Sequence, residues 1–303
     1  MDRVKLWLSA FRLRTLPLSV SGILLASCLA FYNGFFKWSI FIFAILGTIA
    51  LQVLSNLAND YGDGVKGTDN ENRIGPERAI QSGKISPEEM FGAIKINILV
   101  AILLIFLLIY SAFGSNNFLF SILFFALGIA CVYAAIRYTM GETAYGYRAL
   151  GDVMVFIFFG LLSVIGCYFL YARQLDHVLV LPACAIGMLS TGVLNLNNMR
   201  DINSDIESNK ITVAVKLGFK RAKIYHIFLV GGAMMLSIVF GILYFRSFYN
   251  LIFLVAFIPL IKHLVAVINN KEPKQLDPQL KVLALSTFLL AVLLGLGQIF
   301  LIF

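Results

Sequence analysis

Asn56-Leu-Ala-Asn59-Asp60-Tyr61-Gly62-Asp63 stands at the end of a long apolar run. Placed on a helix at about 100° per residue, Asn56, Asn59, Asp60 and Asp63 share one narrow face, and Gln52, one turn earlier, extends the stripe. Carboxylates on the inner face of a spanning helix are costly, so they mark a functional site. Two acids on one face, with amides between them, suit a hard cation such as Mg²⁺. Asn198-Met-Arg200-Asp201-Ile-Asn203-Ser-Asp205 repeats the pattern at the end of another apolar run. Each stretch runs from an Asn to an Asp seven residues later, with one Asp between. The two lie about half the chain apart. This reads as an internal repeat inside one domain of residues 1–303, with halves at 16–136 and 151–268 and an extra last helix at 282–303. Each half would supply one carboxylate pair to a shared site.

The elements that must carry these clusters follow from composition. The chain has 303 residues, 60% hydrophobic and 13% charged, with mean hydropathy +0.88. Soluble domains carry about a quarter charged residues, so this is a polytopic membrane protein. Charge-poor stretches at 16–36, 39–58, 91–113, 118–136, 153–172, 178–197, 227–245, 251–268 and 282–303 each have the length of a spanning helix. The expected fold is all-α, a bundle of about nine transmembrane helices. Of the 24 Lys and Arg, 21 fall on the side holding the N-terminus and the connections after helices 2, 4, 6 and 8. The positive-inside rule makes that side cytoplasmic, and the C-terminus then lies outside. Of the 16 acids, only Asp176 falls on the other side.

The net charge of +8 does not point to nucleic acid, because the bases flank spans and would meet anionic lipid headgroups. Cys28, Cys131, Cys167 and Cys184 lie inside apolar runs without metal-ligand spacing and read as small buried hydrophobes. Residues 1–15 read as an amphipathic lead on the cytoplasmic surface. The long polar loop 64–89 reads as a binding loop, and its bases beside a cation site suggest a phosphate ligand. The loop 137–150 is rich in Tyr and Gly, and Tyr133 shares a helix face with Arg137. Such tyrosines are either interface anchors or, beside a cation-forming centre, π-face stabilisers of positive charge. The segment 207–218 reads as a short interfacial helix over the site. His226 and His263 show no metal spacing, and no role is read for them.

Four carboxylates beside Lys and Arg, in an apolar bundle, suit a lipid diphosphate whose leaving group metal ions activate. If that diphosphate is allylic, its ionisation gives a carbocation, which needs a dry aromatic pocket and an electron-rich acceptor.

At these residues the chain resembles the UbiA superfamily of intramembrane prenyltransferases. Asn56 to Asp63, Arg73-Ile-Gly-Pro76, Gln81-x-Gly83, Asn198 to Asp205 and Lys210-x-Thr-x-Ala-Val-x-Leu-Gly218 are similar to its 1,4-dihydroxy-2-naphthoate branch. The resemblance implies that Asn59, Asp60, Asp63, Asp201 and Asp205 hold one or two Mg²⁺ on a polyprenyl diphosphate, with Asn56 and Asn198 orienting them. Arg78, Lys210 and Arg137 would contact diphosphate oxygens, and Tyr133-x-x-x-Arg137 stands where the superfamily has Tyr-x-x-x-Lys. Gly67 occupies the position of a frequent third Asp. The implied reaction is prenyl transfer to 1,4-dihydroxy-2-naphthoate with loss of CO₂, giving demethylmenaquinol in the plasma membrane. The implied partners are the two substrates and membrane lipids, with no obligate protein partner evident. Another aromatic acceptor, such as 4-hydroxybenzoate or homogentisate, is the alternative. A lipid transporter is the rival of another class; it would keep polar groups near the midplane, whereas here nearly all lie at one face.

Overall fold

The computed structural model describes residues 3–68, 78–115 and 117–300. Its elements are α1 (Arg3–Phe11), α2 (Leu16–Tyr32), α3 (Trp38–Val65), α4 (Pro87–Phe113), α5 (Phe118–Arg137) and α6 (Gly151–Ala172). After these come α7 (Val180–Arg200), α8 (Ile202–Glu207), α9 (Val213–Leu243), α10 (Phe248–Asn269) and α11 (Pro273–Ile299). Among the described residues nine segments are long and apolar enough to cross a membrane: Arg3–Tyr32, which joins α1 to α2, then α3 to α7 and α9 to α11. The all-α, nine-span expectation holds, including 251–268, which begins as a 3₁₀ turn over Phe248–Ala256 and continues as α-helix.

Apolar side chains gain little by leaving lipid for another helix, so close packing must hold the bundle. Small residues permit it. A Cβ on Gly160 of α6 would lie 2.6 Å from the Gly187 Cα of α7, so only glycine fits this crossing. A Cβ on Gly295 of α11 would lie 2.6 Å from the Cys28 Cβ of α2. The helix α2 packs on α11, α3 on α4, and α7 on α6 and α9. In α5 only Val132 and Ala134 are buried, so this helix faces lipid along most of its length. Polar contacts add register. His226 of α9 and His263 of α10 are buried with their Nε2 atoms 2.8 Å apart, and His263 Nδ1 lies 2.9 Å from Gln279 Oε1 of α11. These histidines, which sequence spacing leaves without a role, tie three helices together.

Three departures from regular helix bear on the site. Residues Phe156–Gly166 of α6 form a π-helix, which widens the helix where it borders the central cavity. Gly218 has φ +73°, so Val213–Leu217 is a short helix broken from the span that follows. Ahead of it, Ile211 pairs with Arg148 as an isolated bridge, and Ala149 N–H donates to Ile211 O at 2.7 Å. The expected interfacial helix over 207–218 is therefore an extended strap followed by one and a half turns. The amphipathic lead is α1, ending at Arg12 with φ 50°.

Candidate active site

The two acidic clusters come together at one end of the bundle. The C-terminal turn of α3 brings Asn56, Asp60 and Asp63, and the junction of α7 with α8 brings Asn198, Asp201 and Asp205, all buried. The strap 208–212 and the α5–α6 loop close over both. Lys210 lies between the clusters: its ammonium is 3.6 Å from Asp205 Oδ1 and 5.5 Å from the ring centre of Tyr147. Tyr147 in turn donates to Asp63 Oδ1 at 2.8 Å and lies 2.6 Å from Thr68 Oγ1. Lys66 stands 4.3 Å over the same ring and donates to the carbonyls of Thr139 (2.7 Å) and Gly141 (2.9 Å), pinning the loop to the end of α3.

The electrostatics follow from this packing. Burial raises the Asp205 carboxyl to about 6, with Asp201 and Asp63 adding to the rise and Lys210 opposing it. Burial alone would lower Lys210, but the Asp63 and Asp205 carboxylates outweigh it and hold the ammonium charged. Burial pushes Tyr138 up to about 12, so its ring stays a neutral phenol.

Each anticipated residue has a definite place. Asp60 accepts from the Ala79 N–H at 3.3 Å, which sets Arg78 and the following turn beside it. Arg78 N–H donates to Gln81 Oε1. Asn59 accepts from Thr139 Oγ1 at 3.2 Å and faces the central cavity. Asn56 is spent otherwise: its amide donates to Phe11 O (2.9 Å) and Thr15 Oγ1 (3.2 Å), and its oxygen accepts from Gln52. It clamps the segment that follows α1. Asp201 is gripped by both arms of Arg200, Nε to Oδ1 at 2.8 Å and Nη2 to Oδ2 at 2.6 Å. Arg200 also reaches Asp277 of α11 at 2.5 Å. Tyr133 is 63% exposed on the outer face of α5, stacked only on Arg137 at 6.0 Å. Arg137 donates to Thr143 in its own loop. The aromatic positions at the cavity mouth are filled by Tyr138 and Tyr145 instead, whose rings meet edge to face at 5.3 Å. Arg73 to Pro76 lies outside the described residues. Sequence reading missed Tyr147 and Lys66 as the hinge of the site. For Tyr147 the signal is the Tyr- and Gly-rich loop 137–150, and for Lys66 it is the run of bases in the loop 64–89.

Below the carboxylates an apolar cavity of about 360 Å³ runs between α3, α4, α5 and α6. Its mouth carries Asn59, Gln52, Tyr138 and Tyr145, and its depth carries Ile105, Ile109, Phe124 and Leu170.

Whether a hard cation suits this chain turns on its donors. Among the described residues, Asp60 Oδ1 and Asp205 Oδ2 are buried and accept no hydrogen bond. Buried carboxylate oxygens without partners are costly unless a ligand completes them, and carboxylate oxygen is what Mg²⁺ prefers. The residues therefore fit the ion. Among the described residues no group of three Asp, Glu, His or Cys side chains is close enough together to hold a metal ion by itself.

Residues 19–293 match the UbiA prenyltransferase family. The chain belongs to this family. It is 39% identical over 298 residues to 1,4-dihydroxy-2-naphthoate octaprenyltransferase of Haemophilus influenzae, covering 98% of this chain and 96% of that one. It is 40% identical over 281 residues to the enzyme of the same name from Escherichia coli, covering 93% and 91%. Among solved structures, a UbiA homologue from Archaeoglobus fulgidus bound to GPP and Mg²⁺ superposes with a TM-score of 0.61 at 14% identity, over 94% of this chain and 99% of that one. At that identity the likeness speaks for the fold, and it agrees with the nine-span bundle of this UbiA family member.

Proposed function

We propose that this chain transfers a polyprenyl group from a polyprenyl diphosphate to 1,4-dihydroxy-2-naphthoate, releasing diphosphate and CO₂ and giving demethylmenaquinol. One observation carries the reading: among the described residues Asp60 Oδ1 and Asp205 Oδ2 are buried carboxylate oxygens without hydrogen-bond partners, Lys210 lies by Asp205 and Asp63, and Asn59, next to Asp60, lines an apolar cavity. The identity of the acceptor rests on the relatives at 39–40% identity.

In this reading Asp60, Asp63 and Asp205, with Asn59, would hold Mg²⁺, which would supply charge neutralisation of the phosphate oxygens and so a better leaving group. Asp201 would join them through the lone pairs that its two bonds from Arg200 leave open, while the same pairing fixes the α7–α8 junction. Lys210 and Arg78 grip the departing oxygens as charge-assisted donors. As the allylic C–O bond breaks, its electron pair leaves with the diphosphate. The π faces of Tyr138 and Tyr145 meet the allylic cation, and the apolar walls keep water from it. The new C–C bond forms at the carboxyl-bearing carbon of the naphthoate. The carboxylate then departs as CO₂, and its electron pair returns to the ring. The charge asymmetry of the connections supports a plasma-membrane protein with this site on the cytoplasmic side.

The test is an assay in detergent with the naphthoate, a polyprenyl diphosphate and Mg²⁺, with and without EDTA. Prenylated naphthoquinol and CO₂ that vanish with EDTA are the expected result. Product only from 4-hydroxybenzoate or homogentisate would replace the acceptor. No product from folded protein that binds the diphosphate would refute the reaction.

A further inference from the structure

One wall of the central cavity differs in kind from the others. Ile105, Leu127, Phe158 and Leu162, from α4, α5 and α6, present only carbon to it. The helix α3 adds Thr48, Gln52, Ser55 and Asn59. Steps of three and four residues put these on one helix face, so a polar stripe climbs the wall towards the carboxylates.

Other polar groups on the lining are satisfied within the protein. The Ser19 and Ser163 hydroxyls bond back to Leu16 O and Phe159 O one turn earlier, the usual arrangement for serine in a spanning helix. Tyr145 OH donates to Ala134 O at 2.8 Å, and Asn59 accepts from Thr139. Two groups of the stripe are not satisfied. Gln52 gives its Nε2 to Asn56 Oδ1 at 3.2 Å, and its Oε1 makes no hydrogen bond among the described residues. The Ser55 hydroxyl makes none either. Both residues are partly exposed, and what they face is the cavity. Polar oxygens that face a dry cavity without partners are costly. An isoprenoid is hydrocarbon and supplies no partner, whereas a ring with hydroxyls does. Three residues of helix rise about 4.5 Å, comparable to the span between the oxygens of a 1,4-dihydroxy ring.

We infer that Gln52 and Ser55 are the specificity-determining face for the aromatic acceptor: Ser55 meets the 1-hydroxyl of the naphthoate, and Gln52 Oε1 accepts from its 4-hydroxyl. This rests on the prenyl transfer proposed above and names the residues that choose its acceptor. Ser55 stands nearer in the helix to Asp60 and Asp63 than Gln52 does. The carboxyl-bearing carbon, next to the 1-hydroxyl, then lies at the end of the cavity where the diphosphate departs. A ring with one hydroxyl fits this face badly. Seated by its hydroxyl on Ser55, 4-hydroxybenzoate sets its carboxylate against Gln52 Oε1, two acceptors with no proton between them.

The test is equilibrium binding in detergent under argon, without prenyl diphosphate, of 1,4-dihydroxy-2-naphthoate and of 1-hydroxy-2-naphthoate, which lacks the 4-hydroxyl. The unaltered protein should hold the diol about tenfold more tightly, equivalent to ~1.4 kcal/mol. In Gln52→Met the accepting oxygen is gone and the preference should vanish. Gln52→Glu loses the same bond to Asn56 but keeps an oxygen for the ring, so its preference should stay near tenfold; this separates recognition from support of Asn56. Ser55→Ala should weaken both ligands alike, because both carry the 1-hydroxyl. Thr48→Val, one turn deeper on the same wall, should keep the preference. Binding of geranyl diphosphate with Mg²⁺ shows that each variant is folded. Equal binding of the two naphthoates by the unaltered protein, an undiminished preference in folded Gln52→Met, or its loss in Thr48→Val would overturn the assignment. None of these readings needs turnover. The expected pattern in a protein that transfers nothing would refute the reaction and keep the acceptor face, and turnover of the naphthoate with an undiminished preference in Gln52→Met would do the reverse.

Discussion

Replacing Lys210 with Met should make the substrate-free site bind Mg²⁺ more tightly while crippling turnover. The ammonium sits 3.6 Å from Asp205 Oδ1 and feels Asp63 as well. With an effective dielectric of ~20 the Asp205 attraction alone is about 4.6 kcal/mol, of which desolvation of the pair takes back a large part. Lys210 is thus the internal counter-ion of the empty site, and an arriving Mg²⁺ competes with it. If about a third of that attraction survives, removing it strengthens Mg²⁺ binding about tenfold. The variant without Mg²⁺ should also melt at lower temperature, because a buried carboxylate has lost its partner, and saturating Mg²⁺ should restore the melting point. Turnover moves the other way. The leaving diphosphate loses a charge-assisted donor of about 1.5–3 kcal/mol, so kcat/KM falls roughly 10- to 100-fold. The assay is a Mg²⁺ titration followed by thermal melting in detergent, run beside prenyl-transfer kinetics. Lys210→Arg, which keeps the charge, should bind Mg²⁺ as weakly as the parent. Unchanged or weaker Mg²⁺ binding in Lys210→Met would show that the lysine is not the counter-ion and would refute the reasoning.

The two acidic clusters should respond differently to isosteric change. Asp60→Asn should cut kcat by about 10³-fold or more with little loss of melting temperature, because its buried Oδ1 has no hydrogen-bond partner among the described residues to lose. Asp201→Asn should instead cost about 3–5 kcal/mol of stability, seen as a lowered melting point, because Arg200 is then buried with half its pairing gone. Tyr147→Phe removes the hydroxyl between Asp63 and Thr68, and kinetics should show a rise in KM corresponding to about 1–3 kcal/mol. Gly160→Leu should force α6 from α7, since even a Cβ would lie 2.6 Å from Gly187 Cα, and the yield of folded protein should drop.

The parts of this molecule that can be read from the chain are those with a local cause. Nine apolar runs are visible because each span must satisfy its own backbone within lipid, so every helix announces itself in consecutive residues. The acidic faces are visible for the same reason: Asn59, Asp60 and Asp63 share a face by helical spacing alone, as do Asn198 and Asp205. What could not be read depends on partners distant in sequence. Asn56 sits on the same stripe as Asp60 and Asp63, yet its amide is occupied by Phe11 and Thr15, some forty residues away. Asp201 has the spacing of a ligand, and the spacing does not show that the next-door Arg200, itself paired with Asp277 on α11, also turns onto it. Tyr133 has a helical partner in Arg137 and still faces lipid, because α5 packs through Val132 and Ala134. His226 and His263 show no motif, and only the docking of α9 on α10 brings them within 2.8 Å. A helix face specifies which residues travel together. Which of them meets a ligand is decided by the element that packs beside it, here the strap 208–212 and the loop carrying Tyr147. That is why Lys210 and Tyr147, at the meeting of two irregular segments, complete a site whose carboxylates are set by the end of α3 and the junction of α7 with α8.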